Sequence, residues 1–73
     1  MVKTLRIEHP IKVEDKPLYA KIKRVMAGTY KVSFYYGTEH LTDGTVHATS
    51  FGQLINATRA ELEKFLKEII ERS

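Results

Sequence analysis

The chain has 73 residues, with 12 lysines and arginines against nine aspartates and glutamates, and no cysteine. A chain of this length can bury one hydrophobic core, so we expect a single domain over residues 1–73. The lack of cysteine excludes disulfide scaffolds, thiol catalysis and cysteine-ligated zinc, and it favours a cytoplasmic location. No apolar run reaches the ~18 residues that a membrane span needs, so no membrane partner is expected.

The net charge of +3 is unevenly distributed along the chain. Residues 1–36 carry eight lysines and arginines against three acidic residues, whereas residues 37–57 carry only two acidic residues. From residue 58 onward, four positive charges balance four negative ones. An anionic partner would therefore meet the first half of the chain.

Apolar and polar residues alternate in the first segment, which predicts a strand over about residues 2–13. Pro10 cannot donate a ladder hydrogen bond, so this strand is expected at a sheet edge, with a bulge, or as two short pieces. A turn over residues 14–17 leads out of it.

Two further strands, at about residues 18–25 and 29–41, are joined by a tight turn at Gly28. With Gly28 in the left-handed position of a three-residue loop, Val25 faces Thr29 and Lys23 faces Lys31. In that register the even-numbered residues form an apolar wall, namely Leu18, Ala20, Ile22, Val32, Phe34 and Tyr36. The odd-numbered residues share the opposite face.

The pair Asp43-Gly44 predicts a two-residue hairpin turn, followed by a last strand at about residues 45–51. Thr58 and Glu61 have the spacing of a helical capping box, which predicts a helix over about residues 58–72. Its apolar residues recur at helical spacing, at Leu62, Phe65, Leu66, Ile69 and Ile70.

These elements predict an α+β fold. An antiparallel sheet of three to four strands, a hairpin meander, has one face covered by a single C-terminal helix, and the other face is bare.

The bare face is the candidate site. Lysines can neutralise phosphates, and tyrosine rings can stack on unpaired bases. The alternative is an ordinary solvated surface, because lysine, threonine and tyrosine suit an exposed sheet. The predicted nucleic-acid-binding residues are Tyr19, Lys21, Lys23, Lys31, Ser33 and Tyr35, extended by Arg6 and Lys12.

No metal, cofactor or catalytic role is expected. His40 and His47 would be neighbours across the Asp43-Gly44 turn, and His9 or Glu39 could add a third ligand, but nothing orients these groups. Ser33 has no histidine beside it in the predicted register, and no glycine-rich phosphate loop precedes the helix. We therefore expect a protein that is not an enzyme.

Residues 18–70 contain a basic hairpin with aromatic strands, a third strand ending in Phe51 and an amphipathic helix. This order resembles the arm-DNA-binding domains of tyrosine recombinases. The resemblance implies that the bare sheet face enters a DNA groove. The extra strand before Leu18 and the hairpin over residues 40–44 depart from that layout.

Two functions from different classes follow from the sequence. The first is nucleic-acid binding, preferably DNA, through the basic and tyrosine-containing sheet face. The alternative is a protein-binding regulator or inhibitor that meets an acidic protein surface, for example a phage or mobile-element protein that blocks a host transcription or defence complex. Homodimer formation through an exposed sheet edge stays open.

Overall fold

A computed structural model of the protein describes residues 4–72. Four strands precede one helix: β1 Thr4–Glu8, β2 Leu18–Met26, β3 Thr29–Tyr36, β4 Glu39–His47 and α1 Phe51–Arg72. The strands form one antiparallel sheet in the order β1-β2-β3-β4. The predicted α+β class, an antiparallel meander with a single C-terminal helix, is confirmed.

The hydrophobic core lies between α1 and one face of the sheet. The even-numbered positions of β2 and β3 supply the sheet side, as the alternation predicts. Within residues 4–72, no helix combines the length and apolar character needed to cross a bilayer. The buried apolar residues are Leu18, Ala20, Ile22, Val32, Phe34, Ala48, Leu54, Leu62 and Leu66.

The pairing of β2 with β3 has the predicted register along almost its whole length. Lys23 lies opposite Lys31, and Leu18 lies opposite Tyr36. The turn differs from the three-residue loop, because Met26 pairs with Thr29 and the ladder is irregular between Arg24 and Met26. Gly28 has a φ of 76°, so it holds the left-handed position that the sequence assigned to it.

The turn between β3 and β4 is at Gly37-Thr38, so the hairpin predicted at Asp43-Gly44 is wrong. Gly37 has a φ of 63°, a conformation that favours glycine, and its amide donates to the Pro17 carbonyl at 2.8 Å. β3 therefore ends at Tyr36 instead of residue 41, and the last strand spans residues 39–47 instead of 45–51.

The first strand is shorter than the predicted range of residues 2–13. The His9 amide makes the last bond beyond β1, to the Leu18 carbonyl at 2.8 Å, and Pro10 has no amide hydrogen to continue the ladder. Glu14 and Asp15 then adopt positive φ values of 52° and 61° in a tight turn. Residues 2 and 3 of the predicted strand lie outside the described residues.

The helix starts seven residues before the predicted position, at Phe51 instead of residue 58. The Ser50 side-chain oxygen accepts a hydrogen bond from the Gln53 amide at 3.2 Å, which is the bond expected of an N-cap residue. The Gln53 side chain accepts in turn from the Thr49 amide at 2.7 Å. Thr58 is fully buried within the helix, where its hydroxyl donates to the Leu54 carbonyl at 2.9 Å.

The apolar stripe of the helix is longer than predicted. Leu54 and Thr58 extend it toward the N-terminus, and the buried positions then recur every fourth residue as far as Leu66. Phe65 packs on Phe34, with ring centroids 4.9 Å apart. Ile70 was predicted in the stripe but is 54% exposed.

The position of the helix start gives a stability prediction. Ser50→Ala removes the acceptor for the Gln53 amide, so the free energy of unfolding is expected to fall by about 1 kcal/mol in a urea titration. Thr58→Val removes a hydroxyl that does not cap the start of the helix, and it places a methyl group in the core. We expect this second variant to be as stable as the parent or more stable.

The opposite pattern would contradict this account of the helix. A helix that began at Thr58 would lose stability with Thr58→Val and would be indifferent to Ser50→Ala.

Candidate functional site

The face of the sheet opposite α1 is uncovered within residues 4–72, and we call it the open face. Residues that pair directly across antiparallel strands project to the same side, so the register identifies its members. From β1 to β4 they include Arg6, Glu8, Tyr19, Lys21, Lys23, Lys31, Ser33, Tyr35, His40, Asp43 and Thr45.

Seven of the eight predicted site residues lie together on the open face. Arg6 joins the six hairpin residues because β1 pairs with β2 and places Arg6 opposite Lys21. Lys12 is the exception, since it lies in the loop between β1 and β2 and belongs to no strand. The binding role of the seven stays a prediction.

Three exposed lysines occupy one part of the open face. Lys23 lies opposite Lys31, and Lys21 is two residues from Lys23 on the same strand. The salt bridges of residues 4–72 include none of the three. Like charges directly opposite each other on a sheet are destabilising, so this pairing lowers stability in the absence of an anion.

Aromatic side chains form a row next to the lysines. The Tyr19 and Tyr35 rings stack with centroids 5.2 Å apart and planes 13° apart. The Arg6 guanidinium lies 4.0 Å from the Tyr19 centroid, and the His40 ring meets Tyr35 edge-on at 5.2 Å. Lys21 places its Nζ 5.2 Å from the Tyr35 centroid. We call Arg6, Tyr19, Tyr35 and His40 the aromatic row, which crosses all four strands with one residue from each.

Each ring contact adds a small stabilisation. An aromatic pair contributes about 0.5–1.5 kcal/mol beyond its buried area, and an exposed cation–π contact contributes about 0.5–1 kcal/mol. Arg6 is held further by an ion pair with Glu8 at 3.4 Å. The row is thus a set of contacts that the protein makes with itself.

Asp43 is a member of the open face that the sequence analysis missed, because it was assigned to a turn. In β4 it lies opposite Ser33. Hydrogen bonds from Ser33 and from His40 (Nε2 to Oδ1, 2.9 Å) lower the pKa of the Asp43 carboxyl below its ordinary value of 3.8, with smaller contributions from the charges of His40 and Lys31. A turn at Gly37-Thr38 with a regular ladder would place Thr42 opposite Ser33, but a β-bulge between Phe34 and Tyr35 shifts the register by one residue and brings Asp43 there.

Asp43 links Ser33 to His40, because its carboxylate accepts a hydrogen bond from each of them. The order of the three groups matters for chemistry. An activated serine must contact the imidazole that takes its proton, but here the carboxylate lies between them. The cluster is therefore suited to fixing side chains, not to forming a nucleophile.

His9 is the second residue whose position the sequence did not reveal. It is buried, its Nε2 lies 2.6 Å from Glu63 Oε1, and its Nδ1 accepts from the Ile11 amide at 3.0 Å. Because Nδ1 must accept from that amide, Nε2 carries the proton and donates to Glu63. A cavity of about 430 Å³ adjoins this pair, but both ring nitrogens are already engaged.

His40 and His47 are not neighbours across a turn, because both lie on β4. His40 contacts Asp43, and His47 Nδ1 lies 3.3 Å from the Thr29 hydroxyl. Within the described part of the chain, no group of three histidine, aspartate or glutamate side chains is arranged to hold a metal ion.

Comparisons with known proteins identify no relative: no protein-family model matches the chain, no curated protein matches its sequence and no solved structure matches its fold. The resemblance to the recombinase arm-binding domains therefore has no support beyond the layout of elements. Part of that layout also differs, because Phe51 begins the helix and does not end a strand.

The Asp43 cluster gives a prediction for acid titration. The carboxyl resonance of Asp43, followed by NMR, is expected to titrate below pH 3.8, and Ser33→Ala is expected to raise its pKa because the first of the two hydrogen bonds is lost. Folding lowers the pKa of Asp43, so its hydrogen bonds stabilise the protein fully above the ordinary pKa of 3.8. This stabilisation is lost as the pH falls from there through the lowered pKa.

An unchanged Asp43 titration in that variant would contradict the contact between β3 and β4 described here.

Proposed function

We propose that this chain is a non-enzymatic binding protein whose open face binds nucleic acid, with DNA as the preferred ligand. The observation that carries the proposal is the direct apposition of Lys23 and Lys31, with Lys21 beside them and none of the three in a salt bridge within the described residues. A phosphate between two such ammonium groups converts a repulsion into two attractions.

The charge of the open face agrees with this function. It carries four cations, Arg6 and the three lysines, against two carboxylates, Glu8 and Asp43. Both carboxylates are engaged, Glu8 with Arg6 and Asp43 with His40. The charge of Lys31 contributes to lowering the pKa of Asp43, but none of the three lysines forms a salt bridge in residues 4–72, so they can meet an anionic ligand. We include a cytoplasmic location in the same proposal, because nucleic acid is accessible there.

Affinity for a short fluorescein-labelled DNA duplex, measured by anisotropy, is expected to fall steeply as NaCl rises. The logarithm of the binding constant should fall with log salt at a slope of about −0.9 per phosphate, so about −2.7 if each lysine meets one phosphate. The triple variant Lys21→Ala, Lys23→Ala and Lys31→Ala is expected to lose binding while its thermal stability stays the same or rises.

A charge-matched control tests whether position matters as well as net charge. Arg59→Ala, Lys64→Ala and Lys67→Ala remove the same charge from the exposed side of α1. We expect this control to bind DNA with a salt slope close to that of the parent. A flat salt response of the parent, or equal losses in the two triple variants, would contradict the proposal.

A second candidate, a protein-binding regulator or inhibitor, is favoured by a different observation. Val25 is 57% exposed, and Met26 and Phe51 are each 62% exposed. They lie at one end of the fold, where the β2–β3 turn meets the segment before α1 through a 3.0 Å bond from the Ala48 amide to the Gly28 carbonyl. Exposed apolar side chains that lie close together can form a contact with another protein.

Nuclease treatment and the triple lysine variant distinguish the two candidates. A protein bound at Val25, Met26 and Phe51 would resist nuclease and would tolerate loss of the three lysines. An acidic protein bound at the lysines would resist nuclease but would be lost in the triple variant.

A further inference from the structure

The ring faces of Tyr19 are both occupied by other parts of the protein. Arg6 comes from β1 and Tyr35 from β3, on the two sides of β2, so they approach Tyr19 from opposite sides. Tyr35 has Tyr19 on one side, and on the other it meets the His40 ring from β4. The two tyrosines therefore offer a ligand their edges and hydroxyl groups, and not a free ring face.

We infer that the open face binds double-stranded DNA through its phosphates and does not bind single strands by base stacking. This inference rests on the proposed function. Single-stranded nucleic acids are held largely by aromatic faces on which unpaired bases stack. A base could reach Tyr19 only by displacing Arg6, which is also ion-paired with Glu8, or by separating the two tyrosines.

A duplex can bind without displacing Arg6 or separating the tyrosines, because its bases are already stacked on one another. It also presents phosphates at twice the linear density of one strand, and charge is what Lys21, Lys23 and Lys31 can recognise. The lysines are exposed beside the aromatic row, so a duplex backbone can reach Lys23 and Lys31 without disturbing that row, and Lys21 at the cost of its contact with Tyr35.

The test compares a fluorescein-labelled duplex with each of its two strands, at about 50 mM NaCl, by anisotropy. With three phosphates neutralised, the slopes are about −2.7 for the duplex and about −2.1 for a single strand. Starting from equal affinities at about 1 M NaCl, these slopes give the duplex an advantage of about sixfold at about 50 mM. Tyrosine fluorescence is expected to change little on binding the duplex. Equal or tighter binding of the single strands would overturn the inference and leave the proposed function standing. Failure of all three probes to bind would remove the proposed function itself.

A variant of Arg6 tests whether coverage of the Tyr19 ring causes the preference for duplex DNA. Arg6→Ala uncovers one face of Tyr19, so the ratio of duplex to single-strand affinity is expected to fall. Lys64→Ala removes an equal charge from the exposed side of α1, and it should leave that ratio unchanged. If the ratio were the same in the parent and the Arg6 variant, coverage of the ring would not be the cause of the preference, and the inference would be overturned.

Discussion

The pairing register of β2 with β3 determines both the core and the open face. Side chains alternate along a strand, so a slip of one residue would move every apolar residue of one strand to the solvent side. The observed register aligns Ala20 with Phe34 and Ile22 with Val32 beneath α1. The same register necessarily brings Lys23 against Lys31 on the other side. The repulsion between these lysines is thus a consequence of how the core is built.

The two sides of the sheet differ greatly in the free energy that they contribute. Burying a leucine, isoleucine or phenylalanine side chain contributes about 1.5–3 kcal/mol, whereas interactions between cross-strand side-chain pairs are on the scale of about 0.2–1 kcal/mol. The core can therefore hold the lysines together. The aromatic row adds smaller contacts that keep the open face ordered from β1 to β4. A surface that is fixed before binding loses little conformational freedom when a ligand arrives.

The sequence was sufficient for the β2–β3 hairpin because three local signals agree there: the alternation of both strands, the position of Gly28 and the need for one apolar face. It was misleading at Asp43-Gly44, where a strong turn pair lies inside β4. Gly37 makes the turn instead, and Asp43 is accommodated in the strand by hydrogen bonds from Ser33 and His40. Those partners come from tertiary pairing, which a local motif does not reveal.

The helix start shows a similar limit. Two capping patterns occur, at Ser50 with Gln53 and at Thr58 with Glu61, and each is compatible with a helix to residue 72. Packing selects the first, because Leu54 and Thr58 complete the buried stripe against the sheet. His9 was unpredictable for the same reason, since its partner Glu63 is 54 residues away.

A charge-reversal cycle at Lys23 and Lys31 tests the register most directly. Unfolding in urea at low salt would be measured for the parent, Lys23→Glu, Lys31→Glu and the double variant. If the residues are opposite, each single change creates an attractive pair, and the double variant is less stable than the sum of the single effects by roughly 1 kcal/mol, a difference that salt reduces. Additive effects at low salt would show that the two side chains do not face each other.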